Sequence, residues 1–269
     1  MSTREGRFSS VVVGVALLCA TALGVGVTSV PGAAAAPKQP TLRILVTNDD
    51  GVGAPGIDAL VQGLRKLKGV RVTVVAPAEN KSGSSDMTTP GALTTTQTTT
   101  ASGYPAIAVN GFPADTVNFA LDGGIPTKPQ LVASGVNAGQ NLGPVAQISG
   151  TVGAARAAVR RGVPAVAVSQ GTGDASNYDY PAGVREAVRW VTKHRSELTS
   201  KKPKPQKDVS SINVPTCTAG KVRGIVRVPA ATTGDIAQKP NCLSKVTRPA
   251  DDVTAYANGY ASESPIPPG

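Results

Sequence analysis

Asp49 and Asp50 stand side by side at the end of a short apolar run and are followed by Gly51. Two adjacent carboxylates repel, and their joint ionisation is costly unless a cation or hydrogen-bond donors neutralise them. Oxygen ligands of this kind suit hard divalent ions such as Mg²⁺, Mn²⁺ or Ca²⁺. Asp-Asp-Gly is also a common turn, and from the dipeptide alone a helix-capping role is the stronger reading. Ser149-Gly150-Thr151 opens an Ala-rich helical stretch. Free backbone N–H groups, two hydroxyls and the helix dipole would hold a phosphate there, although ordinary N-capping explains the tripeptide by itself. The chain has one histidine, His194, late in an amphipathic stretch that reads as a surface helix. A Ser-His-Asp triad, a histidine phosphatase and a His-ligated zinc site are therefore disfavoured.

The elements that must position these residues follow an α/β pattern. Residues 42–47 form a β-branched, apolar run ending in Asn48-Asp49-Asp50-Gly51, which reads as a buried strand and the turn after it. Pro55 suits a first helical position. Ile57, Leu60, Val61, Leu64 and Leu67 then keep helical spacing. Residues 70–76 form the next strand, so the opening is β-α-β with a parallel sheet and a right-handed crossover. Residues 93–100 and 107–109 suggest an antiparallel excursion, and 113–121 a short helix. Strands are expected at 130–134 and 164–169, and helices at 150–161 and 180–198. After a Lys/Pro segment, 209–214 and 222–228 read as strands, and 251–264 as a weaker strand pattern. In an open parallel sheet, ligands bind beyond the carboxyl ends of the strands. Three polar loops, Asn48 to Gly51, Glu79 to Ser85 and Ser134 to Gly143, follow predicted strands and converge on one rim.

Composition narrows the function further. Aromatics make up 3% of the 269 residues, too few for a base-stacking platform, and no nucleic-acid motif is present, so specific DNA or RNA binding is not expected. Apolar residues, at 40%, suffice for a core. Residues 1–36 combine Arg4 and Arg7, an apolar stretch and Ala33 to Ala36, which reads as a secretory signal peptide. The competing reading is an uncleaved anchor, the only expected membrane link. The protein is accordingly expected to be exported, either secreted or held at the cell surface. Without that segment Cys217 and Cys242 are the cysteines left, and one disulfide is preferred over two buried thiols. The formal charge of +10 is partly local to Lys201–Lys207 and would steer anionic substrates or an anionic surface. Gly51-Val52-Gly53-Ala54-Pro55-Gly56 matches a dinucleotide-binding fingerprint. Asp49 and Asp50 immediately before it oppose a pyrophosphate, and an exported protein meets little nicotinamide cofactor.

Several ordered motifs together resemble the SurE family of survival-protein 5′/3′-nucleotidases. The resemblance lies in Ile44 to Gly51 with Ala54-Pro55-Gly56, Ala76 to Gly83, Gly111 to Asp115, Ser134 to Gly143 and Ser149 to Ala155. It continues in Ile212 to Pro215 and Asp252 to Tyr260. The resemblance implies a Rossmann-like, three-layer α/β fold with a mainly parallel sheet. Residues 37–200 would form the catalytic core. Residues 201–269 would be a C-terminal extension of the same domain, with a β-hairpin or arm exchanged in a homodimer or higher oligomer. It implies hydrolysis of nucleoside 5′- or 3′-monophosphates with one divalent ion per subunit. A broad acid phosphatase or exopolyphosphatase, and a catalytically silent binder of phosphorylated ligands, are the alternatives. The family's metal ligands fall on Asp49, Asp50, Ser82 and Asn137, and its phosphate side on Ser149, Gly150 and Thr151 with Asn48 and Asn141 nearby. Asp49 and Asp50 would be catalytic, either orienting a water or forming an aspartyl-phosphate. Gly53 stands where family members often carry His, and Ile148 where they often carry Tyr.

Overall fold

The computed structural model describes residues 40–173 and 177–269; the leader-like residues 1–36 lie outside them. Ile44 and Val46 of β1 (Leu42–Thr47) join one apolar core and Leu45 joins the other. Burial on both faces is the mark of a central parallel strand. α1 (Pro55–Leu64) begins at its proline and buries Ile57, Leu60, Val61 and Leu64, the helical stripe read from the sequence. β2 (Val70–Pro77), β3 (Thr95–Thr99) and β4 (Pro105–Val109) follow, then α2 (Pro113–Phe119) and β5 (Leu131–Ala138). α3 (Gly150–Arg160), β6 (Ala165–Gln170), α4 (Tyr180–Leu198), β7 (Val209–Val214), β8 (Ile225–Arg227), α5 (Asp252–Ala257) and β9 (Ala261–Ile266) complete the order.

The described strands form one sheet in the order β3-β4-β2-β1-β5-β6-β7-β9-β8. All pairings are parallel except β3 with β4 and β7 with β9. From β1 the chain winds outward through β2 and β4 on one side and through β5, β6 and β7 on the other. The strand order therefore reverses between β1 and β5, where a crevice opens beyond their carboxyl ends. α1 and α4 share one core and α2 and α3 the other, giving three layers.

Three readings from the sequence need correction. β5 runs on to Ala138, so the loop expected from Ser134 begins only at Gly139. The weak strand pattern at 251–264 is a helix, α5, followed by β9. Asp251 and Thr254 form a reciprocal capping box. Thr254 N donates to Asp251 Oδ1 at 2.8 Å and Asp251 N donates to Thr254 Oγ1 at 3.1 Å. Val253 and Tyr256, three residues apart, then share the buried helix face. β8 is also shorter than expected and runs parallel to β9.

Cys217 and Cys242 are disulfide-bonded and close a loop across a sequence separation of 25. Among the described residues no helix is long and apolar enough to cross a membrane. In the chain-entropy account, opening this loop costs roughly 3 kcal/mol, or a fall in Tm of roughly 10 °C for a domain of this size. Thermal melts with and without reductant, and of Cys217→Ser/Cys242→Ser, should both show that loss. An unchanged Tm would mean that the loop is held without the bond.

Candidate active site

Asp49 and Asp50 sit at the carboxyl end of β1, and the two carboxylates go separate ways. Asp49 is 2% exposed. Its Oδ1 accepts from Thr151 Oγ1 at 2.5 Å, and backbone N–H groups of Thr151 and Gly150 also bond to the carboxylate. Asp50 is half-buried, and its Oδ2 accepts from Ala138 N at 3.0 Å. β1 is thereby tied to the opening of α3 through one acid and to the end of β5 through the other.

The loop after β2 closes a third side. Lys81 N donates to Asp49 O at 2.7 Å and Val52 N to Pro77 O at 2.9 Å. Ser82 is exposed, its backbone N–H held by Asn80 Oδ1 at 2.8 Å. The same loop returns to the start of α3. Ser85, at a left-handed φ of 51°, donates its N–H to Ile148 O at 2.9 Å and its hydroxyl to Gln147 O at 2.7 Å. Asn137 Nδ2 donates to Gly139 O at 2.8 Å, which fixes the amide and leaves its Oδ1 free. Three loops that are remote in sequence thus meet at the β1–β5 reversal.

Electrostatics follow from this geometry. Burial pushes the Asp49 carboxyl above its ordinary value, opposed by the Thr151 hydroxyl and the α3 backbone donors. Burial and then the Asp49 charge push Asp50 up to about 6, partly offset by the Ala138 N–H. The neighbouring cation does not help, because Lys81 pairs with exposed Glu79 at 3.8 Å. Asn48 donates Nδ2 to Gly51 O at 2.8 Å, yet its Oδ1 is buried with no partner. Among the described residues no three His, Cys, Asp or Glu side chains cluster. The donors at hand are therefore two carboxylates and neutral oxygens, a set that fits a hard divalent cation.

Three expected phosphate residues are already engaged. Ser149 Oγ accepts from Val152 N at 3.2 Å as the cap of α3. Thr151 is fully buried on Asp49. A Cβ on Gly150 would lie 2.7 Å from Asp49 Cβ and 2.9 Å from Ser84 Oγ. In the structure these residues seat Asp49. Asn141 is buried deeper, donating Nδ2 to Ser169 Oγ at 2.9 Å and its N–H to Asn213 Oδ1 at 2.7 Å.

Other residues at the site had no strong sequence signal. Ser84 Oγ is buried without a partner, in a run of serines where nothing singles it out. Tyr180 is half-buried; burial and then the Asp50 charge push its phenol up to about 12. Tyr178 stacks on it with ring centroids 5.5 Å apart. His194 is half-buried against Trp190, far along α4 from Tyr180, and takes no part here.

The rise at Asp50 makes a sign prediction for the metal-free protein. A folded-state value of about 6 against 3.8 means that ionisation opposes folding. The penalty is complete above pH about 6 and disappears as pH falls below 3.8. In chelator at neutral pH, Asp50→Asn should therefore stabilise the fold by about 2 kcal/mol, allowing for partial exposure, with the gain shrinking in acid. A Tm difference independent of pH would contradict the assignment.

The description "Survival protein SurE" belongs to the family model that matches residues 44–235. The proteins named "5′-nucleotidase SurE" from Xanthomonas axonopodis pv. citri and Pelobacter propionicus are 39% and 38% identical over 174 and 182 residues. The matches cover 65% and 68% of this chain, and 64% and 69% of those proteins, about two thirds of their length. The crystal structure of the SurE protein from Aquifex aeolicus superposes with a TM-score of 0.68 at 28% identity, covering 84% of this chain and 94% of that one.

Proposed function

Because the chain belongs to the SurE family, we propose that it is a phosphoric monoester hydrolase acting on nucleoside monophosphates. The observation that carries this reading is the convergence of Asp49 and Asp50 with Asn137 and the Ser82 loop at the β1–β5 reversal. The relatives named as 5′-nucleotidases support the same reaction class.

In this reading Asp49, Asp50, Ser82 and Asn137 hold one Mg²⁺ or Mn²⁺. When bound, such an ion supplies charge neutralisation for the phosphoryl group and Lewis acidity. The chain's own residues do the rest. Thr151 and the α3 N–H groups fix Asp49 and oppose the effect of burial on its charge. The Ala138 N–H fixes Asp50, the more exposed acid, which is placed to orient or deprotonate a water. Asn48, Asn141 and the Ser149–Thr151 turn support the phosphate end by shaping these loops. Tyr178 and Tyr180 supply an aromatic wall for the nucleoside. The leader-like residues and the Cys217–Cys242 bond support action outside the cytoplasm, in phosphate or nucleoside scavenging. Exchange of residues 201–269 in a dimer rests on the resemblance alone.

Phosphate release by residues 37–269 from a nucleotide panel, with Mg²⁺, Mn²⁺ or chelator, tests the reading. Activity should need metal and should fall at least about 10³-fold in Asp50→Asn, on the scale of losing a group that acts in the transition state. No release with any metal would sink the hydrolase. Tyr178→Ala should raise KM for nucleotides several-fold and leave that for a small alkyl phosphate unchanged; equal effects on both would remove the tyrosines from the nucleoside side.

A further inference from the structure

A second cleft opens at the other end of the strands. It has a volume of about 300 Å³ and is bordered by Pro164 just before β6 and by Val209 and Ser210 at the start of β7. These are the amino ends of parallel strands, whereas Asp49 and Asp50 lie beyond the carboxyl end of β1. Its walls are Trp190 and His194 of α4, Pro203 and Pro205 of the linker, and Glu263 of β9. The volume suits a ligand of fragment size.

One carboxylate in this cleft is buried with little polar support. Glu263 is 9% exposed. Its one side-chain hydrogen bond is a long one from Ser210 Oγ, at 3.3 Å. Among the described residues it forms no ion pair, and its register neighbour Arg227 stays exposed. Trp190 is 6% exposed and its indole N–H has no hydrogen-bond partner. A carboxylate this buried, with one long hydrogen bond and no direct ion pair, favours a cation that reaches it. Beside it the Trp190 and His194 rings pack with centroids 4.2 Å apart, and an indole face is the best aromatic partner for a cation. The prolines add flat apolar walls. The basic groups Lys204, Lys207 and Arg227 are exposed on the cleft's borders. They would repel a ligand with cationic groups at both ends.

We propose that this cleft binds a small organic monocation, a protonated amine carried on an apolar or aromatic body, with the nitrogen on Glu263 and the body against Trp190. The site is separate from the hydrolase centre and does not rest on that reading.

The chain carries its own reporters. Trp190 is the single tryptophan and His194 the single histidine, and both line the cleft. Phenethylamine, phenethyl alcohol and phenylacetate, which share a body and differ in charge, would be titrated into the full mature chain. Indole fluorescence and the His194 imidazole NMR resonances would be followed together. Phenethylamine should shift both signals saturably with a Kd of about 1 mM or tighter, with the alcohol and the acid at least about tenfold weaker, the scale of a charge-assisted hydrogen bond. Glu263→Gln should remove that preference. Absence of a saturable shift with phenethylamine, equal binding of the neutral or anionic probe, or unchanged amine affinity in folded Glu263→Gln would each overturn the proposal. If Glu263→Gln fails to fold, the charge series on the unmodified chain decides by itself.

Discussion

Two carboxylates on consecutive residues cannot both be buried without help, and that repulsion organises the loops around them. Here Asp49 turns inward to the amino end of α3, where the Thr151 hydroxyl and the helix N–H groups receive it. Asp50 is left on the crevice side with the single Ala138 donor. The division has consequences on both sides. The positive end of α3's dipole is spent on an internal carboxylate, so α3 acts on a substrate mainly through the position it gives Asp49. Asp50 stays under-neutralised, with Lys81 turned toward Glu79. That leaves negative charge offset only by hydrogen-bond donors, the electrostatic setting on which the proposed metal site rests.

The C-terminal extension is part of the same construction. Asp252 is buried at the start of α5, and its two oxygens accept from Gly143 N at 2.9 Å and Ala231 N at 2.8 Å. Gln140 donates to Ile236 O at 2.7 Å. Gly143, at a φ of 49°, comes within 3.1 Å of Ala231 O at its Cβ position, so a side chain there would separate the two segments. The loop after β5, which follows Asn137 and leads to α3, is thus braced by residues about a hundred positions later. Buried carboxylate-to-backbone bonds are costly to lose, and here they replace a helix or strand as the means of fixing a loop.

Much of this was readable in advance, for identifiable reasons. β1, β2, β5 and β6 are short apolar runs buried on both faces, and each ends in polar loop residues. Strand position and candidate ligands therefore came together at Asp49, Asp50 and Asn137. α5 was misread because Val253 and Ala255 alternate like a strand, although Asp251-x-x-Thr254 carried the cap signal. The role of Ser149–Thr151 was half legible. A helix N-terminus near two acids could serve substrate or acid, and pairing across 102 positions in sequence decides it. Tyr180 could not be found by pattern at all. It opens a helix on the far side of the sequence and reaches the site because α4 packs on α1, with Gly56 leaving room for its ring.

That last contact bears on what the site accepts. Gly53 has open space at its Cβ position and Ile148 is 58% exposed, at the two positions where the family resemblance implies an imidazole and a phenol. Neither residue supplies a flat face, Gly53 just before α1 and Ile148 just before α3. The stacked pair Tyr178 and Tyr180 stands on the α1 and α4 side, close enough to Asp50 for its charge to act on Tyr180. In the proposed reaction, phosphate handling rests on the Asp49–Asp50 geometry and not on this wall, against which the base of the leaving nucleoside would lie.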